Sequence, residues 1–397
     1  MLKKQIIVCL LNFLIAALMG LALRYAAINY IGINYRFLTH AHSHIAMLGW
    51  VYLMLYAFIV HYFVPEQKPI YQKLFWLTQV AVVGMMFSFP FQGYAAISIS
   101  FSTLHILCSY YFVHIIWKHH KTNSKVTRLL LKTSLLFMLL STIGVWCLGP
   151  AVGLMGKASA FYQIAIQFFL HFQFNGWFLF AVIALFFHQL KIEDSKTFRI
   201  FFKLLLASTI LTLAMPIQWF APNFMLIVLN ALGVVLQLVA IYFFFKLIKI
   251  EIKKFNTSVS KLTIYSYQFA LLCLALKTIV QLASLVPQLT EELYLHRNFV
   301  IGFIHLLMLG VISGFLFSFL LKQLNTKPSK LLSFGLYSFL IGFVCTEFLL
   351  LIQGIKFYFG NGILPKYYEL LFTFSILLPL GISFLLFNFI KLKNNAT

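Results

Sequence analysis

The amino-acid sequence predicts an all-α integral membrane protein with twelve membrane-spanning helices. Of its 397 residues, 62% are hydrophobic and only 10% are charged, and the mean hydropathy is +0.94. An ordinary soluble domain carries about a quarter charged residues, so this composition requires lipid as the solvent for most of the surface. Apolar segments follow one another along the whole chain. We therefore expect a single polytopic membrane domain over residues 1–397 and no soluble domain.

Clusters of Lys, Arg, Pro, Gly and Asn separate the apolar segments. Each segment is close to the length of about 20 residues that a helix needs to cross the hydrocarbon. The first segment follows the N-terminal Met-Leu-Lys-Lys directly, so we expect no cleavable signal peptide. Pro216 and Pro222 divide the seventh segment from the eighth. We predict spans at residues 5–24, 40–63, 71–90, 94–117, 129–150, 160–189, 198–219, 223–248, 262–286, 297–321, 330–354 and 367–390.

The basic residues supply an independent test of this count, because cytoplasmic loops accumulate Lys and Arg. With the N-terminus inside, 23 of the 30 Lys and Arg residues fall at inner segments, and Lys277 falls within a span. An odd number of spans would destroy this asymmetry. We therefore expect a multi-pass protein of the inner (cytoplasmic) membrane with both termini in the cytoplasm. The outer basic residues are Arg24, Arg36, Lys157, Arg297, Lys356 and Lys366.

The net charge of +22 is explained by this topology. It does not predict a nucleic-acid partner, because the sequence has no basic nucleic-acid-binding motif and the charges lie between apolar segments. The five cysteines have no paired spacing and lie inside apolar runs, so we interpret them as small buried residues and not as disulfides or zinc ligands. They are Cys9, Cys108, Cys147, Cys273 and Cys345.

Histidines at membrane depth are the candidate functional residues, because ionisable groups there are costly and face the protein interior. Span 2 begins with His40, His42 and His44. At about 100° per residue, His40 and His44 lie on nearly one face of the helix, and His42 points to the opposite side. One face is therefore available for a cofactor, while the other meets a neighbouring helix or water. The alternative interpretation is an interfacial cluster that only hydrates the helix end.

His305 in span 10 lies at the same predicted depth as the span 2 histidines, since both spans run from outside to inside. Two neutral imidazoles on different helices are what a six-coordinate heme iron requires, one nitrogen on each face of the porphyrin. Gly49, Gly302 and Gly310 lie near these histidines and would let a flat macrocycle approach the backbone. We therefore predict a heme held by His305 and by a span 2 histidine.

Charged residues near the predicted heme have two interpretations. Arg297, Lys356 and Lys366 lie on the predicted outer side, where they are candidate partners for heme propionates or ordinary interfacial anchors. Lys277 and Glu347 lie well inside their spans, and we interpret them as a buried ion pair or a proton-relay element.

With these motifs, the chain resembles the catalytic subunit of the heme-copper oxidase and nitric oxide reductase superfamily. The shared features are twelve spans, cytoplasmic termini, the segment 41–44 followed by an apolar Gly-Trp stretch, and a histidine near the outer end of span 10. The resemblance implies that His42 and His305 are axial ligands of one low-spin heme b, with His44 as an alternative to His42. It also implies that His171 matches the sixth-helix histidine that binds copper or non-heme iron.

The chain departs from the active members of this superfamily at the catalytic centre. Their tenth helix carries His-x-His, and the first of these positions is Phe303 here. They also carry a His-His pair in or next to the seventh span, whereas this sequence has no histidine between His188 and His296. A complete oxygen-reducing or NO-reducing centre is therefore not expected. His171 alone would hold a second metal weakly, because such ions usually take three or more protein ligands.

The resemblance therefore implies a degenerate relative, similar to NnrS-type heme membrane proteins linked to nitric oxide stress. We predict a heme b-binding membrane protein that works in electron transfer or in nitric oxide binding or response, with a redox partner or a small gas such as NO or O2. The alternative is a twelve-span proton-coupled secondary transporter, although we find no internal repeat between the two halves. A non-heme metal enzyme is a third interpretation, but the histidine-bearing spans contain no Asp or Glu at depth.

Overall fold

The computed structural model of the protein describes residues 2–66, 68–323 and 329–391, and these contain helices and no β-strand. Twelve helices are long and apolar enough to cross a membrane, which confirms the predicted number. Each predicted segment overlaps one of these helices. Residues 392–397, which we predict to be cytoplasmic, lie outside the described residues. Spans 1 to 12 are Leu2–Tyr25, Tyr35–Phe63, Pro69–Gln92, Ala96–His119, Lys125–Met155, Ala160–Leu190, Lys196–Gln218, Phe224–Lys254, Lys261–Leu285, Arg297–Gln323, Lys330–Tyr358 and Tyr367–Lys391.

Several spans begin where the sequence provides a polar cap. The side chain accepts a hydrogen bond from a backbone N–H of the first helical turn, which would otherwise have no partner. A short polar residue therefore determines where each of these helices starts. The capping residues of spans 2, 5, 6, 7, 9 and 11 are Asn34, Ser124, Ser159, Ser195, Ser260 and Ser329.

Not all spans are continuous α-helices. Span 7 consists of Lys196–Leu211 and the short helix Ala214–Gln218, and span 12 of Tyr367–Ser375 and Leu377–Lys391. Span 9 ends in the 3-10 turn Gln281–Leu285, which is followed by the helix Pro287–Leu295 outside the spans. Spans 2, 6 and 10 each contain a π-helical segment.

The spans form two compact units. Spans 1–4, 11 and 12 make up the first unit, and spans 5–10 make up the second. In the first unit, a buried amide pair joins three spans. Asn12 donates its Nδ2 to Gln79 Oε1 at 2.8 Å and to Gly49 O at 3.0 Å, and Gln79 donates back to Asn12 Oδ1 at 3.1 Å. Because lipid offers no hydrogen-bond partners, these bonds hold spans 1, 2 and 3 in register.

Small residues bring helices together in the second unit. A Cβ added to Gly233 of span 8 would lie 2.9 Å from the backbone nitrogen of Thr212 in span 7. The buried Tyr267 of span 9 donates its hydroxyl to Gln189 Oε1 of span 6 at 2.6 Å. Backbone approach at glycine and interhelical hydrogen bonds are the interactions that join helices in a bilayer.

An ion cluster stabilises the loop between spans 6 and 7. Arg199 donates to both carboxylate oxygens of Asp194, at 3.0 Å from Nε and 2.8 Å from Nη2, and Lys125 Nζ lies 3.2 Å from the same carboxylate. These hydrogen bonds and charges lower the pKa of Asp194 to about 2. Since the predicted inner side carries both loops, the cluster ties the start of span 5 to the start of span 7.

The lowered pKa predicts a pH dependence of stability. An unfolded Asp titrates near pH 3.9, so the contribution of Asp194 is present above that pH and is lost as the pH falls toward about 2. We expect Asp194→Asn to melt at a lower temperature than the natural protein at pH 6, with the difference shrinking below roughly pH 4. Thermal melts across this range measure it, with Glu193→Gln as the exposed neighbouring control. A difference that stays constant with pH would contradict the prediction.

Candidate functional site

Three of the histidines that lie at membrane depth occupy equivalent positions in their helices. His44, His171 and His305 each directly precede a π-helical segment, and these segments are Ile45–Tyr52, Phe172–Phe178 and Leu306–Ile312. In each case four residues separate the histidine from a following glycine. The pattern His-x4-Gly therefore recurs once every four spans, and a comparison of sequence halves misses it because the repeat has three copies. π-Helical turns are rare in proteins overall, and those that occur are often found at functional sites.

Burial changes at the same point in all three spans. In span 6, residues 162–171 keep partial exposure except for Ala165, whereas residues 176–187 are all buried. In span 10, residues 298–306 are partly exposed and residues 310–321 are all buried. In span 2, residues 47–60 are all buried, while both His42 and His44 are partly exposed. The histidines thus mark the boundary between an enclosed helix half and a more accessible one.

His42 is held against span 1. Its Nδ1 lies 2.8 Å from the carbonyl oxygen of Ala16, so Nδ1 carries the proton and donates it. The imidazole lies over Gly20, where an added Cβ would come within 2.9 Å of the His42 Cε1 atom. A glycine at position 20 is therefore required for this ring position. With Nδ1 protonated, the lone pair of the ring is on Nε2, which is the form in which histidine ligates iron.

His40 and His44 point to the other side of span 2, as the helical spacing predicts. The His44 ring packs on Phe89 at 4.4 Å between centroids, and the His40 ring meets Tyr94 edge-on at 4.7 Å. His44 donates Nδ1–H to the carbonyl of His40 at 2.8 Å, and its Nε2 lies 3.3 Å from the Tyr94 hydroxyl. Since Tyr94 occupies the Nε2 side of His44, this geometry favours His42 over His44 and His40 as the ligand.

Gly49 has a different role from the one expected. A Cβ there would lie 2.9 Å from Val82 and 3.1 Å from the Asn12 Cβ atom. Gly49 therefore allows spans 1, 2 and 3 to pack closely, and the position leaves no space for a macrocycle. The prediction for Gly49 is wrong because residue size alone does not show which neighbour uses the space.

His105 of span 4 is a buried histidine that the sequence reasoning does not single out. It is 3% exposed, its ring meets Tyr52 edge-on at 4.6 Å, and its Nε2 has no hydrogen-bond partner among the described residues. His114 lies nine residues further along the same helix, which places it on the opposite face, and it is exposed. The sequence gives no signal that separates His105 from the other histidines of the apolar helices, and its burial is seen only in the structure.

In the second unit, His171 is anchored to span 7. Its Nε2 lies 2.7 Å from the carbonyl oxygen of Thr209 and therefore donates to it. Only Nδ1 remains as a ligand atom, and Asn175 contacts the His171 carbonyl one turn further along. The described residues include no group of three or more His, Cys, Asp or Glu side chains arranged to hold a metal ion. This arrangement does not favour a second metal at His171.

The other predicted site residues belong to spans 10, 11 and 12. His305 is partly exposed and is the last residue of the α-helix Arg297–His305, and Arg297 is exposed at the first residue of the same span. Lys356 is half-buried near the end of span 11, and Lys366 is exposed at the N-terminus of span 12 with a φ of 56°. His42, Lys356 and Lys366 belong to the first unit, while His305 and Arg297 belong to the second. The pairing of His42 with His305 and the propionate roles stay predictions.

Glu347 has a neighbour that the sequence reasoning does not predict. It interacts electrostatically with Arg24 of span 1, and Arg24 also interacts electrostatically with Tyr35 and Tyr367. Lys277 belongs to the second unit, where its side chain is fully buried. The predicted pairing of Lys277 with Glu347 stays a prediction.

No protein-family model matches the chain, and no curated protein matches it. The function therefore has to be inferred from the residues and their contacts.

Proposed function

We propose that this protein binds heme b through His42 and works in electron transfer or in the binding of a small gas such as nitric oxide. The observation that carries the proposal is the hydrogen bond from His42 Nδ1 to Ala16 O at 2.8 Å. Histidines that ligate metals commonly donate their other ring N–H to a carbonyl, which determines the tautomer and the ring orientation. The residues around His42 therefore fit a heme ligand.

The surroundings of His42 support this role. The ring is positioned on a helix face by Gly20, where any side chain would displace it. His42 keeps partial exposure at the boundary between the enclosed and accessible halves of span 2. Heme supplies a one-electron Fe(III)/Fe(II) couple and a coordination site for diatomic gases when one axial position is open.

The second heme ligand and the partners of the propionates are assigned from the sequence alone. His305 is the predicted opposite ligand, and Arg297, Lys356 and Lys366 are the predicted partners of the propionates. With two histidine ligands, the protein would transfer electrons without exchanging a ligand. Gas binding would require an open position at the iron.

Absorption spectroscopy tests the proposal. We expect the purified protein to show a Soret band and, after reduction, the sharp visible bands of a low-spin heme b. Addition of CO or NO to the reduced protein reports whether a coordination position opens. Protein purified from heme-replete cells that shows no Soret band, and that does not take up added hemin, would overturn the proposal. Proton-coupled uptake into vesicles by such heme-free protein would instead establish the transporter alternative.

A further inference from the structure

His40 and His44 form a pair of imidazoles on one face of span 2. They are four residues apart, a spacing that brings the side chains of a helix together, with about 5–6 Å between their Cβ atoms. His44 donates Nδ1–H to the carbonyl oxygen of His40 at 2.8 Å, so the lone pair of the His44 ring is on Nε2. Two histidines at this spacing on one helix face are a known pair of zinc ligands.

Tyr94 brings an oxygen atom to this pair. Its hydroxyl lies 3.3 Å from His44 Nε2, and its ring lies 4.7 Å from the His40 ring between centroids. Phe89 packs on the His44 ring at 4.4 Å and on the Tyr94 ring at 5.0 Å between centroids, so it supports both side chains. Tyr94 is therefore a common neighbour of the two imidazoles.

The loop that carries Tyr94 is held in place by its own sequence. Gly93 has a φ of 60°, in the left-handed region that favours glycine, and an added Cβ there would lie 2.5 Å from the Phe37 ring of span 2. Ser98 donates its hydroxyl to Gly93 O at 2.6 Å and accepts from the backbone nitrogen of Ala95 at 2.9 Å. These contacts position Tyr94 against span 2 before any ligand binds.

The three side chains lie at the end of the first unit where spans 2 and 4 begin. Irregular backbone that faces lipid does not occur within the hydrocarbon, and Tyr94 is 45% exposed in the loop between spans 3 and 4. This loop therefore lies at the membrane surface. Helical side chains tilt toward the N-terminus of their helix, which directs His40 and His44 toward the same surface. The exposed Arg36 lies one turn before His40, so an ion in water reaches the pair from this end.

The distance between the two closest donor atoms fits a tetrahedral zinc ion. Zinc binds nitrogen and oxygen ligands at about 2.0–2.2 Å, so two ligands at the tetrahedral angle are about 3.3–3.5 Å apart. His44 Nε2 and the Tyr94 hydroxyl are 3.3 Å apart. Zinc therefore replaces their hydrogen bond with little movement of either side chain. Magnesium and calcium prefer oxygen ligands, so two imidazoles select against them.

We propose that His40, His44 and Tyr94 bind a zinc ion at the predicted outer end of span 2. The described residues give this site no third His, Cys, Asp or Glu ligand, so water supplies the fourth ligand. The phenol proton passes to water when zinc binds, which leaves Tyr94 as a phenolate ligand. His44 keeps its bond to the His40 carbonyl, as metal-bound histidines commonly do. The charge of Arg36 opposes a cation, so we expect binding to be reversible. The site is separate from His42, which points to the opposite side of the helix.

Equilibrium dialysis against Zn²⁺, with the bound metal measured by mass spectrometry, tests the site on protein purified without a histidine tag. We expect saturable binding and a zinc-dependent rise in melting temperature. His40→Ala and His44→Ala should each raise the Kd at least about tenfold, because loss of even a residue that only orients a ligand costs about 10–100-fold. Tyr94→Phe keeps the ring and removes only the oxygen, and it should also raise the Kd. The exposed His114 of span 4 provides the control His114→Ala, which should bind zinc as the natural protein does.

A further variant separates this site from the heme proposal. His42→Ala should lose heme and keep the zinc affinity of the natural protein. An unchanged Kd in His40→Ala or in Tyr94→Phe would show that other groups hold the zinc, and it would overturn the site. Absence of saturable binding by the natural protein would overturn it as well. If His44→Ala cannot be purified, the other two variants decide the result, since His40 is partly exposed and Tyr94 is exposed.

Discussion

Replacement of His42 by alanine is expected to remove most of the bound heme. The substitution deletes the proposed axial nitrogen and leaves the carbonyl of Ala16 without its donor. A methyl group cannot replace either function. We expect the heme-to-protein ratio, measured by the pyridine hemochrome assay, to fall to near zero. His305→Ala is expected to retain some heme but to lose the low-spin visible bands, because one axial position becomes open.

Other histidines of the first unit are the matched controls. His114 is exposed on span 4, so His114→Ala should keep both the heme content and the spectrum. His40→Ala and His44→Ala remove rings that pack on Tyr94 and Phe89, and they should keep the Soret band. If His44→Ala loses heme while His42→Ala keeps it, the axial ligand is His44. If neither His42→Ala nor His305→Ala alters the spectrum, the proposed ligation is wrong.

Gly144→Ala is expected to cause a large loss of stability. An added Cβ would overlap the carbonyl oxygen of Ala165 and lie 3.0 Å from the backbone nitrogen of Phe169. Both atoms belong to the backbone of span 6 and cannot move without shifting the helix. Overpacking of this kind costs about 3 kcal/mol. A fall in the melting temperature of the detergent-purified protein measures the effect.

Gly153 offers a control on the same helix. It lies in span 5, it is exposed, and no atom lies within 4 Å of an added Cβ. Gly153→Ala should therefore be neutral or stabilise the protein by up to about 1 kcal/mol through helix propensity. Equal melting temperatures for the Gly144 and Gly153 variants would contradict the close contact between spans 5 and 6. Retained heme in Gly144→Ala would further show that this contact is separate from the His42 site.

The secondary structure is largely predictable from the sequence. Lipid exposure imposes a length and a composition on each helix, so hydropathy predicts all twelve spans, and the capping serines mark several of their starts. The orientation of His42 away from His40 and His44 also follows from the helical repeat. These properties depend on residues that are near one another in the chain.

The candidate heme site is only partly predictable from the sequence. The histidines are visible as candidates, but the role of Gly20 requires knowledge that His42 packs on span 1. The threefold His-x4-Gly pattern is present in the sequence, yet its meaning comes from the π-helical segments that follow each histidine.

Local composition thus determines that the chain spans a membrane twelve times and that histidines lie within those spans. Only the packed structure decides which ring nitrogen donates a hydrogen bond and which glycine allows a neighbouring helix to pack closely. The physical reason is that hydropathy and helical periodicity act over one or two turns. Hydrogen bonds such as those from Asn12 to Gly49 and from His171 to Thr209 join residues that are distant in the sequence.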